Sequence, residues 1–141
     1  MRRNRLELYL HLVWATWDWM PWITEGVVRP LYREIGNEAC KQGCKVVALN
    51  GLIDHIHLLL WFPSTITVAQ LVKQLKGVSS HFVNEVLKPT VPFKWQGSYG
   101  AFTVSGWDLD TVVEYVKQQQ LRHVQNALMG DLEETCILDE L

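Results

Sequence analysis

Asp54-His55-Ile56-His57-Leu58-Leu59-Leu60 is the first stretch whose residue types and spacing could do chemistry. In a strand, side chains at i and i+2 point the same way, so His55 and His57 share one face. Ile56, Leu58 and Leu60 share the other, which must be the core face. Two imidazoles side by side, opposite an apolar face, suit two adjacent ligands of one metal ion. Two histidines on a half-exposed strand face without a ligand role have the same pattern. Further on, Thr111-Val112-Val113-Glu114-Tyr115-Val116-Lys117-Gln118-Gln119-Gln120 puts Tyr115 and Gln119 at i and i+4, neighbours on one helical face. Arg122 and His123 extend that stripe by a turn. With Val112, Val113, Val116 and Val124 as the core stripe, Tyr115 is expected beside the core, on a solvent-accessible helix edge. A phenol there, with an amide one turn away, could be a nucleophile and an oxygen ligand. An amphipathic helix with an incidental tyrosine is the plain alternative.

The elements that must carry these groups are legible from hydrophobic period. Leu6, Leu8, Leu10, Leu12 and Trp14 alternate with Glu7, Tyr9, His11 and Val13, a period of two that predicts a strand with one buried face. Pro21 interrupts, and Thr24 can cap a helix to about residue 43 with Val27, Val28, Leu31, Ile35 and Ala39 on one face. A β-branched strand is predicted over 45–49, a hairpin turn at Asn50-Gly51, and a return strand over 54–62 ended by Pro63. Thr67 caps a second helix to about residue 87, with Leu71, Leu75, Val78, Phe82 and Val86 as its stripe. Pro89 and Pro92 mark a loop, residues 95–104 a glycine-bearing strand, and Trp107-Asp108 opens a last helix to about residue 129. The order β-α-β-β-α-β, plus a C-terminal helix carrying the tyrosine, predicts an α+β fold of the ferredoxin-like split βαβ kind. Its sheet is antiparallel with helices on one face.

At 141 residues and 16.3 kDa the chain fits one domain. A chain of this length buries roughly 68% of its unfolded surface and needs no disulfide or metal staple. With 48% hydrophobic and 20% charged residues, wholesale disorder and collagen-like sequence are excluded. The longest uncharged apolar run, over 56–63, is far short of the roughly 20 residues that cross a bilayer, so no membrane association is expected. A strand-like alternation, rather than a signal-peptide block, follows the basic residues 1–5, and the expected location is the cytoplasm. Cys40, Cys44 and Cys136 lack framework spacing and form no C-x-x-C pair, so reduced structural thiols are expected. The net charge of −2 argues against a simple nucleic-acid clamp, but residues 131–141 hold five of the fifteen acids and no Lys or Arg. The expected division is a domain over 1–130, with thirteen positive and ten negative side chains, and an acidic tail over 131–141.

The half-polar H-x-H strand, the segment Trp95-Gln96-Gly97-Ser98-Tyr99-Gly100-Ala101-Phe102-Thr103-Val104-Ser105 and the Y-x-x-x-Q helix occur here in that order. Together they resemble the single-tyrosine transposases of the HUH (histidine-hydrophobic-histidine) superfamily, which include REP-associated tyrosine transposases. The resemblance runs from the opening strand Leu8-Tyr9-Leu10-His11-Leu12-Val13-Trp14-Ala15-Thr16 to about His123. It implies that His55 and His57 are paired metal ligands, Gln119 the third, and Tyr115 the catalytic nucleophile. Such a set leaves positions open on Mg²⁺ or Mn²⁺ for water and a phosphate oxygen. The implied activity is cleavage and rejoining of single-stranded DNA at hairpin-flanked ends through a 5′-phosphotyrosine intermediate. The implied assembly is a homodimer with active sites completed in trans, and Gly106 is a candidate hinge. Asp54 either orients a ligand imidazole or simply ends the hairpin turn.

After Trp14-Ala15-Thr16, where many relatives continue with a basic stretch, this chain reads Trp17-Asp18-Trp19-Met20-Pro21-Trp22. Indoles can stack on unpaired bases or cover the sheet edge and a subunit contact. Packing is the expectation for Trp14, while Trp17 and Trp19 fit either role. DNA contacts are expected from Arg2, Arg3, Arg5, Lys73, Lys76, Lys94, Lys117 and Arg122. Two rival readings stand beside the transposase: a domesticated single-strand DNA- or RNA-hairpin-binding module without transposition activity, and an unrelated ferredoxin-like metal-binding or regulatory domain.

Overall fold

A computed structural model of the chain describes residues 4–119. The opening alternation becomes β1 (Tyr9–Ala15), followed by a single 3-10 turn (Trp17–Trp19) and α1 (Glu25–Lys41). The hairpin is β2 (Lys45–Gly51) and β3 (His55–Trp61); then come α2 (Val68–Phe82), β4 (Gly100–Val104) and α3 (Leu109–Lys117). The four strands form one antiparallel sheet in the order β2-β3-β1-β4, the split βαβ arrangement expected from the sequence. Arg2, Arg3, Arg122, His123, Val124 and the acidic tail lie outside the described residues.

One face of the sheet is closed by α1 and α2. Leu10, Leu12, Trp14, Ile56, Leu58 and Leu60 point into this layer and meet Leu31, Ile35 and Ala39 of α1 and Leu71, Val72 and Leu75 of α2. Thr67 starts α2 with a reciprocal capping box: its hydroxyl accepts from the Gln70 amide at 3.1 Å, and Gln70 Oε1 accepts from the Thr67 amide at 3.3 Å. The opposite face is covered by α3, whose Tyr115 and Val116 pack with Ala48 and Leu59. The central strand β3 is therefore buried on both faces from His55 to Leu60. Leu8, expected inward, is exposed because pairing begins only at Tyr9.

Three further departures have local causes. Asn50-Gly51 is not the hairpin turn: both residues are paired in β2, and the loop is 52–54, closed by the Leu52 amide on the His55 carbonyl at 2.9 Å. Gly51 is required by proximity, since a Cβ there would lie 2.2 Å from the His55 carbonyl oxygen. Helix α2 does not continue regularly to residue 87, because a π-helical turn over Val83–Leu87 widens its end. The extra residue per turn rotates the stripe, burying Val83 and leaving Val86 exposed. Asn84 then clamps the returning chain, accepting from the Phe93 amide at 2.7 Å and donating to its carbonyl at 2.9 Å.

The predicted strand over 95–104 is paired continuously only from Gly100; Trp95 makes an isolated bridge to Thr16. Between them, Lys76 Nζ donates to the Gln96 and Ser98 carbonyls at 2.7 and 2.8 Å, which ties that segment to α2. Burial pushes this ammonium down to about 8. Cys40 is exposed and Cys44 buried, and both are thiols. Among the described residues no helix is long and apolar enough to cross a membrane.

Trp95 packs edge-to-face on Trp14 and donates its indole N–H to Ser79 Oγ at 2.9 Å in the buried layer. Replacing Ser79 with Ala strands that N–H, at a cost of about 1–3 kcal/mol. The urea midpoint should fall with the slope unchanged; an unmoved midpoint would show that the bond contributes nothing.

Candidate active site

Strand geometry brings three imidazoles, not two, to the face under α3. His55 and His57 alternate with Ile56 along β3, and the β1–β3 register sets Val13 opposite His57 and Ala15 opposite His55. His11, two residues before Val13, therefore shares their face. His11 Nε2 and His57 Nδ1 are 2.8 Å apart, with the rings stacked at 5.0 Å. His55 Nδ1 lies 2.8 Å from Asp54 Oδ1. All three rings are buried.

These contacts constrain where protons sit. A carboxylate only accepts, so His55 carries hydrogen on Nδ1 and, when neutral, keeps a lone pair on Nε2. In the His11–His57 bond one ring donates and the other accepts. Only the arrangement with His57 Nδ1–H donating to His11 Nε2 leaves a ligand lone pair on His57 Nε2. Holding the far nitrogen in this way is how proteins orient a ligating imidazole.

Helix α3 and the residues just after it supply the remaining groups. Tyr115 sits edge-on to His57 at 5.7 Å and to His11 at 6.2 Å. Gln119 donates from Nε2 to the Tyr115 carbonyl at 3.3 Å, and its buried Oε1 has no hydrogen-bond partner among the described residues. The structure thus brings His55, His57 and Tyr115 together, with Gln119 bonded to the Tyr115 carbonyl one turn further along the chain. It does not place Tyr115 on a solvent-accessible edge: the phenol ring is fully buried against Ala48, Leu59 and Val116. The helix lies so close to the open sheet face that its tyrosine stripe, rather than only its valines, becomes the contact. Asn50 holds it there, donating to the Lys117 carbonyl at 3.0 Å.

The donor set fits a divalent cation. Two imidazole nitrogens and an orphaned amide oxygen are hard-to-borderline ligands that leave room for water and phosphate oxygen. Among the described residues no group of three His, Cys, Asp or Glu side chains is arranged to hold an ion alone. His11 does not supply the third, because its Nε2 is spent on His57.

The expected DNA-contacting cations are dispersed. Lys73, Lys76 and Lys94 line one groove of about 430 Å³ with Trp95 and Tyr99, on the α2 side of the sheet. Lys117 is exposed at the end of α3, on the other side, and Arg5 is exposed and paired with Glu7 at 3.2 Å. The tryptophan run divides as well. Trp14 is core, Trp22 packs near Phe93, and Trp19 lies 5.7 Å from His55. Sequence reasoning missed His11; its signal was the same alternation in β1, unreadable until β1 was paired with β3.

A family model described as "Transposase IS200 like" matches residues 4–119. The chain belongs to the IS200-like transposase family. Its fold also matches the crystal structure of a proposed transposase from Deinococcus radiodurans R1, with 28% identity and a TM-score of 0.66 over 84% of this chain and 98% of that one. A REP-associated tyrosine transposase bound to a REP hairpin matches at a TM-score of 0.65 and 13% identity, over 87% of this chain and 74% of that one, a likeness of fold. No curated protein matches the chain. As an IS200-like transposase, the chain carries its three imidazoles and its tyrosine helix inside the matched span.

The Asp54 contact makes a direct prediction. In nitrogen-15 NMR spectra, neutral His55 should be the Nδ1–H tautomer, and Asp54→Ala should shift it toward Nε2–H. A wild-type His55 protonated on Nε2 would break the assignment.

Proposed function

We propose that this transposase cleaves and rejoins single-stranded DNA at hairpin-flanked ends, with Tyr115 as nucleophile and a divalent ion, Mg²⁺ or Mn²⁺, held by His55, His57 and Gln119. The observation that carries the reading is the convergence, under α3, of a phenol, two oriented imidazoles and an orphaned amide oxygen. The ion, when bound, withdraws charge from a phosphate oxygen and stabilises the charge growing there.

The chain's own groups do the rest. Once α3 has shifted and admitted water, the Tyr115 phenol loses its proton to that water as its oxygen bonds to phosphorus. The bond from phosphorus to the 3′-oxygen breaks, and that oxygen leaves as a 3′-hydroxyl after taking up a proton. DNA is left joined through its 5′-phosphate to Tyr115. The link conserves the phosphodiester's energy, so attack by a 3′-hydroxyl reverses the step and rejoins strands without ATP. Asp54 and His11 hold the two ligand rings, and the apolar packing of Ala48, Leu59 and Val116 keeps bulk water from the phenol.

Complete burial of Tyr115 means that a phosphodiester meets the phenol only after α3 shifts on the sheet. That same burial favours a second reading, a hairpin-binding relative that no longer cleaves. A covalent adduct separates them. Incubated with single-stranded hairpin DNA and Mg²⁺ or Mn²⁺, the wild type should yield an oligonucleotide linked to Tyr115, and Tyr115→Phe should yield none while still binding DNA. Cleavage by Tyr115→Phe would remove the nucleophile, and unchanged cleavage by a His55→Ala, His57→Ala double variant would remove the metal site. We further propose a homodimer with composite sites. Mixing Tyr115→Phe with His57→Ala subunits should restore one complete site per heterodimer; no rescue would mean assembly in cis or no dimer.

A further inference from the structure

The exposed half of the tryptophan run has no role in the chemistry above, yet it is built with care. Trp17 remains 46% exposed, and the Lys94 ammonium sits 4.0 Å from the centre of its ring. The turn carrying it places two consecutive non-glycine residues in the left-handed region, Asp18 at φ 52° and Trp19 at φ 55°. A bulky residue adopts that conformation only when its surroundings hold it there. Here they do: the Trp17 amide donates to the Lys94 carbonyl at 2.9 Å, and the Asp18 amide to Gln96 Oε1 at 3.0 Å. Thr16 Oγ1 donates to the Met20 carbonyl at 2.7 Å. One end of this pinned turn, Trp19, lies against His55; the other presents Trp17.

Resting on the single-strand DNA reading of the preceding section, we propose that Trp17 is a stacking platform for one unpaired base of the substrate strand, with Lys94 meeting the adjoining phosphate. One residue, Asp18, separates the platform from Trp19, a span of at most about 7 Å, so the stacked base lies near the histidine pair rather than at a remote hairpin. An indole offers a face to any base. Beyond Lys94, the groove with Lys73 and Lys76 has no carboxylate in its lining, which suits a polyanion. The exposed Asp18 carboxylate is the like charge nearby. It disfavours a phosphate on its own side of the indole and directs the backbone toward Lys94.

The test is a cycle between protein and DNA. Affinity of the full chain for a single-stranded hairpin oligonucleotide is measured with the intact strand and with single abasic sites moved along it. Trp17→Ala should weaken binding of the intact strand ~5–150-fold, the equivalent of one lost base stack. Trp17→Phe should recover most of that loss. At one abasic position the Trp17→Ala penalty should vanish, and Lys94→Gln should lower the slope of log Kd against log salt by about one. A Trp17→Ala penalty below twofold, or one equal at every abasic position, would overturn the platform. Wild-type protein that binds no single strand would instead overturn the parent reading of function.

Discussion

Burial of both faces of the central β1–β3 pair is the constraint on which the rest of the structure depends. One face is apolar and closes the main core under α1 and α2. The other carries His11, His55 and His57, and α3 seals it. Imidazoles taken out of water must find partners or cost several kcal/mol. They find them in each other and in Asp54, and those same bonds fix the rings' rotation and tautomer. One set of contacts both satisfies the buried nitrogens and fixes the orientation of His55 and His57.

Helix α3 is held to this polar face by a modest patch and by Asn50 on its last turn. On the apolar face α1 and α2 are held by interlocking aliphatic and aromatic side chains that fill the layer. The scaffold is pinned at the end of the sheet beside the site. Thr16 ties it there, its amide donating to the Asp54 carbonyl at 2.9 Å and its hydroxyl to the Met20 carbonyl at 2.7 Å.

Much of this was readable in the chain. Period-two alternation marked β1 and β3, Thr24 and Thr67 marked the starts of two helices, and Leu31, Ile35 and Ala39 lie inside as their spacing required. The three motifs, in order, carried the family. Errors arose where a non-local contact overrode a local signal. Asn50-Gly51 has turn chemistry but lies in β2, paired with His57 and Ile56, where Asn50 also reaches the end of α3. Val86 continues the α2 stripe on paper, yet a π-helical turn and the Asn84 clamp turn it outward. Residues 95–99 look like strand, but Lys76 takes two of their carbonyls.

The sequence by itself determined the element order, the shared face of His55 and His57, and the i, i+4 pairing of Tyr115 with Gln119, because these follow from backbone periodicity alone. Only the tertiary structure decided that His11 joins the pair, that Tyr115 is buried, and that Trp17 is exposed while Trp14 is core. Each of these depends on which segment crosses which, through contacts between residues far apart in the chain. Local period states which way a side chain points; only packing states what it meets.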